Sequence, residues 1–175
     1  MSKPFTGVKV VDFTRVLAGP YSSYQLALLG ADVIKIESRE GDDMRFGTRA
    51  NDWEKRGLAA PWVAVNGNKR SITLDLKQPK AIEVVKRLVE TADVVVENFR
   101  PGVMDKLGIG YETLSKINPR LIYCAVSGFG QAGNGRMGNG VEPLASHRIG
   151  EHPPAQRLPV KLSTGSQHGR AKGRD

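Results

Sequence analysis

The sequence predicts an α/β fold: a largely parallel sheet with helices on both faces. Three observations predict it. Gly7 to Glu37 reads as strand, tight loop, helix and second strand. Apolar, strand-like runs recur at 69–76, 93–97 and 121–126, and helical patterns lie between them. Repeated β-α-β alternation calls for parallel strands joined by helical crossovers.

The first strand is carried by Val8, Val10 and Val11 and ends at the polar pair Asp12 and Thr14. Ala18-Gly19-Pro20 interrupts the chain. Pro20 suits a first helical turn, where no N–H is needed, so a helix is predicted over Tyr21–Leu29 with Gly30 as its stop. Asp32 to Glu37 carries Val33, Ile34 and Ile36 into the second strand. Residues 40–66 show no clear period and read as a long surface excursion, often functional in a compact domain. Ile72, Leu74 and Leu76 alternate in a half-buried strand over 69–76. Pro79 opens a helix to Thr91 with Ile82, Val85, Leu88 and Val89 on one face. Asp93–Glu97 is an apolar strand covered on both faces. Short helices at Met104–Leu107 and Tyr111–Ile117 precede a last strand, Leu121–Val126.

With 175 residues the chain can bury one core. It has no run of ~18 apolar residues, so no membrane span is predicted. The N-terminus lacks an apolar leader, and a cytoplasmic protein is the default. One cysteine excludes an internal disulfide, and Cys124, inside LIYCAV, reads as a buried small hydrophobe. Of the net +8, residues 132–175 carry +4. The remainder is mildly basic, which suits a small polyanion better than nucleic acid.

Composition changes after Gly130-Gln131. All 11 aromatic residues lie at or before Phe129, and all three histidines at or after His147. Residues 133–175 form a Gly/Arg/Pro-rich tail predicted to be disordered. His147, His152 and His168 share no ligand spacing, so no metal site is predicted.

Three pieces can carry chemistry. A helix starting near Pro20 offers open N–H groups and a dipole to an anion over Leu17–Gly19, with Ser22 and Ser23 as further donors. That loop carries neither a GxGxxG pattern nor a P-loop lysine-serine. Lys69 and Arg70 beside the Gly67 turn can hold phosphates, with Lys77 a third cation. Asn98, Phe99 and Arg100 leave a strand end with an amide, a ring and a guanidinium that together suit a planar base and its phosphates.

VKVVDFTRVLAGPYSSYQLALLGADVIKIE, GDDMR, NKRSITLDLK, ADVVVENFRPGVMDKLGIGYETL and NPRLIYCAVSGFGQ, in that order, resemble the class III CoA-transferase family. It includes formyl-CoA and carnitine CoA-transferases and the related α-methylacyl-CoA racemases. The resemblance covers about residues 5–132. It implies a Rossmann-like large domain, incomplete here, with CoA at the mouth of its sheet. By position, Val16, Leu17 and Ala18 would line the pyrophosphate end. Leu74 and Lys77 would sit near the adenine. Asn98, Phe99 and Arg100 would contact the nucleotide or pantetheine arm, and Lys106 a phosphate. Family transferases often carry Arg directly after the residue matching Glu37; here Ser38 stands there, and Arg39 is the expected substitute.

The resemblance implies transfer of CoA between an acyl-CoA and a carboxylic acid. CoA would be substrate, with no prosthetic group and neither nucleic acid nor membrane as partner. Such enzymes form interlinked homodimers, which a chain this short should not fully reproduce. Transferases use an Asp that attacks the acyl carbonyl and passes through an anhydride and an aspartyl thioester. The racemases use His and Asp to exchange an α-proton. Both sets fall beyond the resemblance, so no catalytic residue is assigned, and the chain is expected to be a truncated, inactive form. After GFGQ it runs AGNGRMGNGVEPLASHRIGEHPP, which suggests an out-of-frame tail. A racemase-like fragment and a non-catalytic CoA-binding or interaction module are the alternatives.

Overall fold

The computed structural model describes residues 2–47 and 51–127. The predicted tail over 133–175 and its three histidines lie outside the described residues. The elements are β1 (Lys9–Asp12), α1 (Ala18–Leu28), β2 (Asp32–Glu37), α2 (Asp52–Lys55), α3 (Ala60–Asn66) and β3 (Lys69–Thr73). They continue with α4 (Pro79–Val89), β4 (Val94–Glu97), α5 (Val103–Lys106), α6 (Tyr111–Ile117) and β5 (Ile122–Ala125). The five strands form one sheet in the order β3-β2-β1-β4-β5, every neighbour parallel. The α/β, Rossmann-like expectation holds.

The pleat sorts the side chains into two layers. Val11, Phe13, Ile36 and Val95 face α4, α5 and α6 and pack with Val85, Val89, Met104, Ile109 and Leu114. Val10, Val33 and Val96 face α1 and pack with Ala27 and Ala31. Each fully buried Val, Ile or Leu contributes about 1.5–3 kcal/mol. The α1 face is apolar only toward the amino ends of the strands. Toward the carboxyl ends it carries Asp12, Lys35 and Glu37, all buried.

Three expectations are revised. The strand expected over 69–76 ends at Thr73, so Leu74 and Leu76 lie in the loop that follows it. Helix α1 begins at Ala18 rather than Tyr21, so Ala18-Gly19-Pro20 forms its first turn instead of a break. Pro20 at the third helical position gives up an N–H that has no intrahelical partner. Gly30, at φ 105°, ends α1 as predicted. Its N–H donates to Ala27 O and that of Ala31 to Leu26 O, the paired bonds of a Schellman stop. The excursion over 40–66 is also more ordered than expected. It contains a 3-10 turn at Asp43–Arg45 as well as α2 and α3. Asp42 and Asn51 start two of these by accepting from Met44 N and Glu54 N.

Among the described residues no helix is long and apolar enough to cross a membrane.

Candidate functional site

Strand β1 has β2 on one side and β4 on the other, so the chain leaves it and β4 in diverging directions. That is the switch point at which open α/β sheets hold ligands. A cleft of about 360 Å³ opens along this carboxyl edge. Its walls come from Phe13 and Arg15 after β1, Ile36 to Asp42 at and after β2, Leu74 to Lys77 after β3, and Phe99, Val103 and Leu107 after β4.

The cleft brings together four residues the sequence singled out: Arg39, Leu74, Lys77 and Phe99. Arg39 and Lys77 are exposed. Asp75 accepts from Lys77 N at 3.1 Å, a turn that orients the lysine ahead of α4. That N–H holds the Asp75 carboxyl below its ordinary value.

Val16, Leu17 and Ala18 stand beside the cleft, not in its wall. Val16 N donates to both carboxylate oxygens of Asp42, which lines the cleft. Val16 and Leu17 are 40% and 46% exposed. Leu17 caps α1 without a side-chain hydrogen bond, and no acidic residue occupies the first turn. The amides there remain open to an anion.

Other candidate residues lie outside the cleft wall. Asn98, Phe99 and Arg100 do not line one pocket, because the turn after β4 sends them in different directions. The Asn98 carboxamide is engaged at both ends by the main chain of Arg15. Arg100 lines a separate hollow with Glu97, Asp105, Tyr111 and Tyr123. Lys106 is exposed on α5, outside the cleft wall. Both serine hydroxyls already have acceptors: Ser22, exposed, donates Oγ–H to Gly19 O in its own helix, and Ser23, buried, donates to Asp12 Oδ2. Lys69 points into the fold, away from solvent. Its side chain is 1% exposed and donates to Asp12, Pro20 O and Asn66 Oδ1. Arg70 pairs with Asp32 at the amino end of β2, opposite the cleft.

Three residues at the site were missed in the sequence: Arg15, Lys35 and Asp42. Arg15 donates to Gly41 O at 3.2 Å and faces Asp43 at 3.5 Å. Lys35 and Asp42, both 1% exposed, pair at 3.3 Å. The available signal was Lys35 itself, a lysine between Ile34 and Ile36 in a central strand, where a buried ammonium demands a partner. Glu37, beside it, is buried and held by Arg45 and Ser71. Burial pushes its pKa up, but these hydrogen bonds and the charges of Arg45 and Lys35 win, leaving it below its ordinary value. Cys124 is half-buried, and burial pushes its thiol pKa up, which disfavours the nucleophilic thiolate.

Known proteins are similar to this chain in sequence and fold. A succinate–glutarate CoA-transferase from Agrobacterium fabrum is 49% identical over 135 residues, covering 74% of this chain and 34% of that protein. A formyl-CoA:oxalate CoA-transferase from Rhodopseudomonas palustris is 45% identical over 130 residues, covering 74% and 30%. The crystal structure of a CAIB/BAIF family protein from Brucella suis superposes with a TM-score of 0.72 at 50% identity, covering 78% of this chain and 36% of that one. The chain spans about a third of the length of the curated relatives it matches. The family model for CoA-transferase family III matches residues 5–152, across the sheet, the cleft and the composition change after 131. The chain belongs to CoA-transferase family III.

Proposed function

We propose that this chain supplies the CoA-binding part of an enzyme that moves CoA between an acyl-CoA and a carboxylic acid. One observation carries the reading: the carboxyl-edge cleft gathers Arg39, Lys77, Leu74 and Phe99. A CoA molecule asks for that mixture, with cations for its phosphates and apolar walls for its adenine. Val16, Leu17 and Ala18 receive the pyrophosphate at the open start of α1. Asn98 supports that loop through Arg15.

No residue of this chain is assigned as the acyl-accepting nucleophile, so the chain alone binds CoA without turning it over. The relatives named above are transferases, which favours transfer over α-proton exchange. The CoA-binding part ends near residue 132, and residues 133–175 are a segment read out of frame. Reading the gene in a shifted frame near codons 132–136 tests that boundary. The working assembly is an interlinked homodimer of longer chains, and the single cysteine fits a reducing cytoplasm.

Calorimetric titration with CoA, paired with an acyl-CoA transfer assay, tests the reading. Saturable binding that weakens with salt is expected, with no turnover. Arg39→Ala and Lys77→Ala should each weaken binding several-fold. A chain that binds no CoA refutes the proposal, and turnover refutes the assignment of no nucleophile.

A further inference from the structure

We infer that Lys35 is a positioning residue for phosphate recognition: it fixes the turn Thr14–Val16 and, through that turn, the open amides at the start of α1. The inference rests on the cleft being a CoA site.

The turn is held on nearly every polar main-chain group. Thr14 donates its N–H and its hydroxyl to Asp12 Oδ1, at 2.8 and 2.5 Å. Its carbonyl accepts from Lys35 Nζ at 2.6 Å. Asn98 takes both the N–H and the carbonyl of Arg15. The Val16 N–H donates to Asp42, at 3.2 Å from each carboxylate oxygen. Asp42 is itself paired with Lys35. Lys35 therefore reaches the turn twice, directly at Thr14 and through Asp42 at Val16.

A charge pair this buried is a poor source of net stability, because desolvation offsets the attraction and apolar replacement is often neutral or better. The backbone supplies another reason for it. Val16 stands at φ 69°, left-handed for a β-branched residue. Such a conformation is strained and persists only where its surroundings impose it. Lys35 and Asp42 impose it from one side and Asn98 from the other. The strained residue immediately precedes Leu17, the cap of α1, and the Ala18 and Gly19 amides beyond it have no acceptor among the described residues. Relaxing Val16 would swing those amides away from the cleft mouth. The neutral lattice beneath leaves the ligand's charge to be met by amides and rim cations.

The test uses the full chain, titrated with CoA, ADP and adenosine. Lys35→Met combined with Asp42→Asn removes both charges and leaves no lone buried ion. ADP and CoA should each bind about tenfold or more weakly, adenosine should change less than twofold, and the Val16 amide should exchange faster with solvent. A melting curve shows whether the variant is folded. If it is not, Lys35→Arg, which keeps the charge but crowds the turn, carries the same expectations. Unchanged ADP affinity in a folded variant overturns the inference. So does equal loss for ADP and adenosine, which marks a merely structural role. A wild-type chain that binds no CoA overturns the proposed function and this inference with it. A wild-type chain that binds, beside a variant that binds equally well, overturns this inference alone.

Discussion

Asn98 is joined to Arg15 as one strand is joined to another, although neither lies in a strand. Asn98 Oδ1 accepts from Arg15 N at 2.8 Å, and Asn98 Nδ2 donates to Arg15 O at 2.8 Å. The pair ties the loop after β1 to the loop after β4, across the switch point. Asn98→Ala removes two hydrogen bonds and leaves the half-buried Arg15 groups without partners, so about 2–3 kcal/mol should be lost. Asn98→Asp should cost at least as much, because a carboxylate oxygen would then face the Arg15 carbonyl. Urea unfolding measures both. An Asp variant as stable as wild type would mean the amide does not donate here.

Gly19 sets two principles against each other. Helix propensity favours Ala over Gly by about 1 kcal/mol. A Cβ at Gly19, however, would lie 2.5 Å from Thr14 Cβ and 2.6 Å from Thr14 Cγ2. Thr14 is buried and fixed to Asp12, so it cannot yield. Overpacking of this kind costs about 1–3 kcal/mol and should win. Gly19→Ala is therefore expected to lower the melting temperature and weaken CoA binding, since α1 must lift off the loop. A rise in melting temperature would show that propensity prevails.

The strands and α4 were legible because their signal is local. Val10-Val11, Val33-Ile34 and Val94 to Val96 are β-branched runs, and Ile82, Val85 and Val89 keep a helical period. Helices α2 and α3 were not legible. They have four and seven residues, too short for a period, and tertiary contacts hold them. At the site, the residues that reached the cleft wall through resemblance are those on strand-end loops. The misread cations show the limit of that reasoning. Lys69 and Arg70 look alike in sequence, but register places Arg70 opposite Ile34, with its side chain on Asp32, while Lys69 reaches under α1 to Asp12. Partners 38 and 57 positions away decide those roles, and no window of sequence contains them.

Arg45 fastens the 40–66 excursion to the sheet. Its guanidinium forks onto both oxygens of Glu37, reaches Gly57 O at 3.3 Å and lies 3.6 Å over the Trp62 ring. Glu37 is 4% exposed, so removing its partner strands a buried charge. Arg45→Met should cost about 3–4 kcal/mol. Arg45→Lys keeps a charge but loses the planar fork and the stacking, and should still cost about 1–2 kcal/mol. Thermal unfolding followed by tryptophan fluorescence reads both effects. A lysine variant indistinguishable from wild type would reduce Arg45 to a point charge.

Glu97 gives the fold a pH dependence of its own. It ends β4 with 4% exposure and accepts from Phe99 N at 2.8 Å. Burial raises its pKa from 4.5 to about 7; the Phe99 hydrogen bond opposes this and the Asp105 charge adds to it. The folded chain thus holds this proton more tightly than the unfolded one. Its contribution to stability is full below pH 4.5 and is lost as pH rises through about 7. Glu37 runs the other way, since its lowered pKa contributes stability that fades in acid. Glu97→Gln separates the two, because Gln still accepts from Phe99 N but never ionises. The variant should match wild type near pH 4.5 and exceed it at pH 8 by up to about 3 kcal/mol. Melting curves of both proteins between those limits measure the difference. A gap that stays flat with pH would mean that Glu97 ionises in the folded chain as readily as in the unfolded one.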